Sequence, residues 1–231
     1  MSDRLRIALV GATGLIGRSV IEAAPRCDAI QLIGVARREM KLPEGARMEM
    51  VLADPSQWGE VLKAIQPQVL VCALGTTWKR AGKDEEAFRA VDQHLVLDTA
   101  AAALAAGAER MVTVSSVGAN AGSKNFYLRV KGEVERDLAK IGFKRLDILR
   151  PGLLKGQRER DMRVGEGLAR TFSPLIDVML QGSRRQYRSI EGSMVANAAL
   201  ELGLRKAAGR FIHDNDGIAR AARDWGKRVG E

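Results

Sequence analysis

The chain has 231 residues, of which 46% are hydrophobic, so it is long and apolar enough to bury a sizeable core and is not a disordered protein. Its two cysteines, Cys27 and Cys72, lie in apolar stretches and are too few for a disulfide framework, which favours buried thiols in a reducing compartment. The net charge of +9 would suit a nucleic-acid partner, but aromatic residues make up only 4% and leave little for base stacking, so we do not expect one.

Apolar runs of strand length alternate with segments of helix length over residues 5–149. This alternation predicts a parallel sheet with helices on both faces. The predicted strands cover residues 5–10, 30–36, 48–53, 68–74, 111–115 and 145–149. The predicted helices cover residues 15–23, a segment capped by Ser56 that ends at residue 65, residues 84–106 and residues 126–141.

Beyond residue 152 the alternation is weaker. We expect short helices within 158–180, an extended piece over 187–190, a helix over 192–204 and a last strand over 211–213. The predicted fold class is α/β, one domain over residues 1–231 with a single Rossmann-like doubly wound parallel sheet as its core over 5–152 and a small C-terminal substrate or lid region over 153–231. Residues 158–188 combine glycines with basic side chains and are expected to form the mobile lid.

A glycine turn joins the first predicted strand to the first helix with the spacing Gly-x-x-Gly-x-x-Gly. Gly11 permits the tight turn, Gly14 lets backbone N–H groups approach a pyrophosphate, and Gly17 lets the helix pack closely on the sheet. The spacing differs from the commoner dinucleotide fingerprint, but its position after an N-terminal apolar strand favours nucleotide binding. The candidate cofactor contacts in this turn are Gly11, Thr13, Gly14, Leu15, Ile16 and Gly17.

Two arginines, Arg37 and Arg38, follow the second predicted strand directly. A carboxylate at this point would suit the ribose 2′-hydroxyl of NAD, whereas guanidinium groups suit the 2′-phosphate of NADP. The nearest acidic residue is Glu39, so the sequence favours NADP(H), the alternative being a solvated arginine pair at the start of a loop. Asp54, after the third strand, can accept a hydrogen bond from the adenine amino group.

Tyr127 and Lys131 are four residues apart and share one face of the predicted helix over 126–141. A lysine ammonium beside a phenol favours the ionised phenol, so Tyr127 can exchange a proton with a carbonyl or alcohol oxygen while hydride is transferred at carbon. Ser115 or Ser116, at the end of the preceding strand, can hold the same oxygen. The alternative is a half-buried tyrosine that only packs.

These motifs resemble those of the short-chain dehydrogenase/reductase superfamily, through the stretches that begin at Gly11, Ser115, Tyr127 and Arg150. Within it, the chain is most similar to the atypical branch that contains the Tat-interacting tumour-suppressor protein. The resemblance covers residues 5–200 and implies a Rossmann fold, NADP(H) binding and a Ser-Tyr-Lys site whose lysine also contacts the nicotinamide ribose. It also implies that Leu74, Gly75 and Thr76 lie against the cofactor and that Pro151 and Gly152 lie near the nicotinamide.

One departure from the family concerns the long helix, where many members carry an asparagine that supports a proton relay. This chain has Asp92 at that position, which can still accept a hydrogen bond. Proteins of the branch are discussed as regulators as much as enzymes, so a non-catalytic NADP(H)-binding sensor stays open beside an oxidoreductase. A nucleotide-sugar epimerase or dehydratase is a third reading, which we disfavour because few residues follow Gly152 to form a sugar-nucleotide domain.

The remaining features bear on partners and location. His94 and His213 are far apart and lack metal-ligand spacing, so we expect no metal. Trp78, beside the Thr76-Thr77 pair, can edge a substrate pocket. The basic excess within 144–188 either forms a solvated surface or attracts an anionic ligand.

The expected partners are a small carbonyl or alcohol substrate and a second copy of the chain in a homodimer. No apolar run approaches the roughly 20 residues of a membrane span. The N-terminus also lacks a secretory pattern, so we expect a cytoplasmic protein.

Overall fold

The structure, a computed structural model, describes residues 4–155 and 188–230. In this part of the chain one sheet consists of β1 (Leu5–Val10), β2 (Ile30–Ala36), β3 (Met48–Leu52), β4 (Val69–Cys72), β5 (Arg110–Val114), β6 (Arg145–Leu149) and β9 (Gly209–His213). Their order in the sheet is β3-β2-β1-β4-β5-β6-β9, and every pair of neighbours is parallel. A small second sheet pairs β7 (Leu154–Lys155) with β8 (Ile190–Glu191). The chain order reverses between β1 and β4, as in doubly wound folds.

Helices cover both faces of the sheet because its central strands are apolar on both sides. The helices are α1 (Leu15–Ala23), α2 (Trp58–Ile65), α3 (Glu85–Arg89), α4 (Leu95–Ala105), α5 (Phe126–Ile141), α6 (Gly192–Leu204) and α7 (Asn215–Val229). In β1, Ile7 and Leu9 join an apolar cluster with α1, α6 and α7, whereas Ala8 and Val10 join a second cluster with α2, α4 and α5. These two clusters are the core, and they hold the ends of the strands rigidly.

The predicted α/β fold with a doubly wound parallel sheet is confirmed. Six elements have the predicted bounds, namely β1, α1, β2, α5, β6 and α6. The ends of β3, β4, β5 and β9 differ from the predicted ends by one or two residues. These differences arise at the strand ends because an apolar pattern constrains the end of a strand less than its centre.

Two predicted helices are built differently in the structure. Ser56 does not cap its helix, because Pro55, whose fixed φ suits a first helical position, already begins a 3₁₀ turn over Pro55–Gln57 and the α-helix starts only at Trp58. The helix predicted over 84–106 is divided into α3 and α4 by a turn of π-helix over Ala90–His94. Asp84 caps the N-terminus of α3, and its carboxylate accepts a hydrogen bond from the Ala87 N–H.

The described C-terminal residues belong to the sheet and its helical layer. Strand β9 pairs with β6, and most residues of α6 are buried against α1 and the sheet. The sequence reasoning missed α7, which begins after Asp214, whose carboxylate accepts a hydrogen bond from the Gly217 N–H. The helices expected within 158–180 lie outside the described residues, as does all of the expected 158–188 lid except Arg188, so the lid stays a prediction.

Candidate functional site

A cleft of about 1370 Å³ opens at the carboxyl ends of β1, β2, β4 and β5. Ligands of open parallel sheets bind at this edge, at the point where the strand order reverses. The sequence-predicted residues that line the cleft are Gly11, Thr13, Gly14, Leu15, Ile16, Arg37, Arg38, Leu74, Gly75, Thr76, Ser115, Tyr127 and Lys131. The predicted residues outside its lining are Gly17, Asp54, Ser116, Pro151 and Gly152.

The glycine turn between β1 and α1 requires glycine for steric reasons. Gly11 has φ +85°, and a Cβ there would lie 2.4 Å from the carbonyl carbon of Ala73. A Cβ at Gly17 would lie 2.2 Å from the Gly11 oxygen, so Gly17 allows the helix to pack on the turn without itself facing the cleft. No side chain caps the N-terminus of α1 at Gly14, which leaves the first N–H groups of the helix free to bind an anion.

The two arginines after β2 line the same cleft. Arg37 and Arg38 are exposed, and Glu39 lines the cleft beside them. Asp54, the expected adenine contact, is exposed instead at the start of the 3₁₀ turn over Pro55–Gln57. The structure therefore brings the arginines, but not this aspartate, to the lining of the cleft.

Helix α5 carries Tyr127 and Lys131 into the cleft wall. The helix begins after Asn125, whose side chain accepts a hydrogen bond from the Leu128 N–H at 3.1 Å. Gly132 fixes its close approach to the loop after β5, because a Cβ there would lie 2.2 Å from the Ala121 nitrogen. The ring of Tyr127 packs edge-on against buried Phe88, with 5.8 Å between ring centroids.

Asp92 forms an ion pair with Lys131 inside the cleft. Asp92 Oδ1 lies 2.7 Å from Lys131 Nζ, and the two side chains are 1% and 8% exposed. The other carboxylate oxygen, Oδ2, accepts a hydrogen bond from the Thr76 N–H at 2.6 Å. Asp92 thus connects the turn after β4 with the lysine of α5. Asp92 itself lies in the π-helical turn, and such turns are frequent at functional sites.

The charge of Lys131 follows from this pairing. Burial opposes the ammonium form, but the charge of the Asp92 carboxylate and its contact with the ammonium, together with the neighbouring Tyr127, outweigh it and raise the pKa of Lys131 above its ordinary value. Lys131 therefore stays a cation at neutral pH, directly below a tyrosine on the same helix face.

The two candidate serines differ in what their hydroxyls contact. Ser115 lines the cleft, and its Oγ donates a hydrogen bond to Glu135 Oε1 at 2.5 Å. Glu135 also accepts a hydrogen bond from Arg150 Nε at 2.9 Å. Ser116 Oγ lies 3.3 Å from the Val117 carbonyl oxygen and does not line the cleft. The geometry therefore favours Ser115 as the serine that faces a ligand.

Sequence reasoning missed two residues that support this site. Glu135 lies four residues after Lys131 on α5, a spacing that can be read from the sequence, but its contacts with Ser115 and Arg150 depend on the fold. Asn215 holds the Arg-Pro-Gly turn, since its Oδ1 accepts a hydrogen bond from the Gly152 N–H at 2.9 Å. No sequence signal identified Asn215.

Two expected absences can be examined only in the described part of the chain. Within residues 4–155 and 188–230, no helix is both long and apolar enough to span a bilayer. The same residues contain no group of three or more His, Cys, Asp or Glu side chains that could hold a metal ion. His213 instead lies 2.8 Å from the buried Asp147.

Comparison with known proteins gives two kinds of similarity. A family model described as NAD(P)H-binding matches residues 11–176. "Protein FMP52, mitochondrial" of Candida albicans is 37% identical over 171 residues, which are 71% of this chain and 73% of that protein. "Protein fmp52, mitochondrial" of Emericella nidulans is 33% identical over 210 residues, 88% of this chain and 89% of that protein.

Solved structures resemble the chain in fold. A putative NAD-dependent epimerase/dehydratase from Bacillus halodurans has a TM-score of 0.66 at 21% identity, over 95% of this chain and 99% of that one. UDP-glucose 4-epimerase from Thermotoga maritima has a TM-score of 0.68 at 14% identity, over 98% of this chain and 83% of that one. At these identities the similarity shows the fold alone.

The cytoplasmic location expected from the sequence is contradicted by these comparisons, since the named relatives are mitochondrial proteins. The expectation rested on the lack of a secretory or membrane-spanning pattern. Such a lack does not distinguish the cytoplasm from the interior of an organelle.

Proposed function

The chain belongs to an NAD(P)H-binding family, and from this premise we propose that it is an NADP(H)-dependent oxidoreductase of the short-chain dehydrogenase type that interconverts a small carbonyl compound and its alcohol. One observation carries the proposal. Tyr127 and the charged Lys131 line the same cleft as the glycine turn, so a proton donor and a nucleotide site share one space.

The residues of the cleft fit a dinucleotide. The uncapped N-terminus of α1 suits a pyrophosphate, and the crowded Gly11 lets the backbone turn tightly beneath it. Arg37 and Arg38 offer guanidinium groups for a 2′-phosphate, which is why we propose NADP(H) rather than NAD(H). Leu74, Gly75 and Thr76 would lie along the cofactor, and Lys131 would contact its nicotinamide ribose.

A reduced nicotinamide whose ribose is held by Lys131 would supply hydride, two electrons with one proton, for the carbonyl carbon. Tyr127 donates its hydroxyl proton to the carbonyl oxygen, which receives the π electron pair of the C=O bond. Lys131 stabilises the tyrosinate that remains, and Asp92 balances the charge of the lysine and fixes its position. In the reverse direction the tyrosinate takes the proton of the alcohol.

Ser115 has a defined role in this proposal. Because a carboxylate can only accept, the hydrogen of the Ser115 hydroxyl is directed to Glu135, and the Ser115 oxygen is left to accept a hydrogen bond from the substrate hydroxyl or from Tyr127. Glu135 in turn forms an ion pair with Arg150. Ser115, and not Ser116, is therefore the serine that we assign to the reaction.

Two finer points are part of the same proposal. A mitochondrial location follows from the names of the relatives, and a homodimer is the assembly that we expect. The likeness to the branch of the Tat-interacting protein rests on the sequence motifs alone, and the named relatives are FMP52 proteins. The epimerase and dehydratase neighbours support the fold without adding a sugar-nucleotide substrate.

The proposal is tested by measuring NADPH consumption with a broad panel of aldehydes, ketones and quinones, alongside calorimetric binding of NADPH. We expect micromolar or tighter binding and turnover of at least one class of carbonyl. Tight binding with no turnover of any compound would contradict the oxidoreductase and favour a sensor that binds NADP(H) without reaction.

A further inference from the structure

Trp78 presents an exposed indole inside the cleft. Its side chain is 39% exposed, and it lines the same cleft as Tyr127 and Lys131. Trp58 and Trp225, in contrast, are 3% and 0% exposed. A ligand that covers a partly exposed aromatic ring at the wall of a cleft removes its apolar surface from water, which favours binding.

Packing fixes the orientation of this ring before any ligand binds. Trp78 lies 5.3 Å from Phe126 and 6.2 Å from Phe88, measured between ring centroids, and both contacts are tilted. Phe126 and Phe88 also contact each other edge-on at 5.6 Å. The indole is therefore part of an aromatic cluster, and its contacts with Phe126 and Phe88 hold it in place.

The loop that carries Trp78 is closed by its own backbone hydrogen bonds. The Trp78 carbonyl accepts from the Lys83 N–H at 2.9 Å, and Lys83 adopts the left-handed conformation with φ +61°. The Thr77 carbonyl accepts from the Ala81 N–H at 2.9 Å. Trp78 thus stands on a compact turn, and little conformational entropy is lost when a ligand binds against it.

The position of Trp78 relative to Tyr127 identifies the part of the cleft that it borders. Both rings pack on Phe88, Trp78 at 6.2 Å and Tyr127 at 5.8 Å. The glycine turn and the two arginines after β2 account for the pyrophosphate and adenosine ends of a dinucleotide. The space between Tyr127 and Trp78 is left for the compound that receives the hydride.

We propose that Trp78 forms the wall of a substrate subsite for flat, conjugated carbonyl compounds, such as aryl ketones, aryl aldehydes or quinones. This inference rests on the proposed function, because it assumes that Tyr127 faces the carbonyl oxygen. A planar ring stacks on the indole while its carbonyl group reaches Tyr127. A saturated ring of the same size is puckered and makes fewer contacts with the indole face.

The test uses two ketones with the same carbon skeleton, acetophenone and cyclohexyl methyl ketone, of which the first has a flat ring conjugated with the carbonyl and the second a puckered saturated ring. They are titrated by calorimetry into the protein saturated with oxidised cofactor, which cannot reduce them. We expect acetophenone to bind about three- to tenfold more tightly than its saturated partner, the range typical of one aromatic contact. Trp78→Phe should keep most of this preference and Trp78→Ala should lose it, while Leu52→Ala, at an exposed apolar residue outside the cleft, should leave it unchanged.

Tryptophan fluorescence gives a second readout that does not depend on the alanine variant folding. Trp58 also lines the cleft but is 3% exposed, so acetophenone should change the emission of the wild-type complex by more than that of Trp78→Phe. Equal affinities for the two ketones, or an emission change of the same size in Trp78→Phe, would overturn the subsite.

The outcome is separable from that of the proposed function. Selective binding through Trp78 without any turnover would support the subsite and contradict the reductase. Turnover of ketones without any ring selectivity would support the reductase and overturn the subsite.

Discussion

Asp92 and Lys131 form a buried ion pair, with 2.7 Å between Oδ1 and Nζ, that joins the π-helical turn to helix α5. Removing both charges of such a pair is often tolerated, but removing one leaves the other buried without its partner. The second oxygen of Asp92 holds the Thr76 N–H, so the aspartate also fixes the turn along which we expect the cofactor to lie. Asp92 is therefore a positioning residue for both lysine and cofactor.

Replacing Asp92 by asparagine should destabilise the protein, because Lys131 loses the charge that offsets its burial. We expect the free energy of unfolding to fall by about 3–5 kcal/mol. Urea unfolding of Asp92→Asn measures this, with Asp98→Asn, an exposed aspartate on α4, as the matched control that should stay within about 0.5 kcal/mol of wild type. If Asp92→Asn unfolds at the same urea concentration as wild type, the ion pair contributes nothing to the free energy of unfolding.

The arginines after β2 should set the cofactor preference. We expect wild type to bind NADPH at least about tenfold more tightly than NADH, a difference of about 1.4 kcal/mol. Arg37→Ala or Arg38→Ala should weaken NADPH binding and leave NADH binding unchanged, since only the 2′-phosphate loses a partner. Calorimetry with both cofactors checks this, with Arg223→Ala as a surface control, and equal wild-type affinities would refute the NADP(H) assignment.

The two serines after β5 should differ in their effect on turnover. Ser115 lines the cleft and is oriented by Glu135, so Ser115→Ala should lower kcat by about tenfold or more. Ser116 does not line the cleft, so Ser116→Ala should change kcat by less than about threefold. Steady-state kinetics of the matched pair decides between them, and the opposite order of effects would move the assignment to Ser116.

Cys72 should be inert in the folded protein. Burial raises the pKa of its thiol from 9.0 to about 11, although the Leu74 backbone and Lys131 oppose the shift. The contribution of the protonated Cys72 thiol to the free energy of unfolding is therefore fully present below pH 9. It is lost as the pH rises from 9 to about 11, because the thiol loses its proton at a lower pH in the unfolded chain than in the folded one. The test is alkylation by iodoacetamide in neutral buffer, followed by mass spectrometry. Half-exposed Cys27 should react in the folded protein, whereas Cys72 should react only after the protein is unfolded in urea. Equal rates of modification of the two cysteines in the folded protein would contradict the burial of Cys72.

Local patterns were enough to predict most of the fold. The bounds of β1, α1 and α5 follow from apolar periodicity, a glycine turn and the spacing of Tyr127 and Lys131, all of which are short-range signals. The π-helical turn was not predictable, because the segment over 84–106 has an uninterrupted helical pattern. The helix α7 was missed even though Asp214 is a typical N-cap residue.

The contacts within the site were less predictable than its members. Asp92 was recognised as unusual, but its pairing with Lys131 joins two helices that are distant in the chain. The hydrogen bond from Ser115 to Glu135 likewise depends on how α5 packs on β5. Asp54 was assigned to the cleft from its place after β3, whereas Pro55 directs the chain into a turn outside the lining.

Tyr127 is the proton donor in the proposed reaction, and replacing it by phenylalanine tests this most directly. Tyr127→Phe loses only a hydroxyl, so its NADPH affinity should match that of wild type, and its ring should still pack on Phe88. Lys131→Met is the companion variant and should lose both affinity and turnover, because the lysine serves the cofactor and the tyrosine together.

The decisive measurement is the rate of NADPH oxidation by Tyr127→Phe with the best carbonyl substrate of the wild type, made at saturating NADPH. The account predicts a loss of about 10²–10⁴ in kcat with unchanged NADPH binding. Turnover at the wild-type rate in Tyr127→Phe would contradict it.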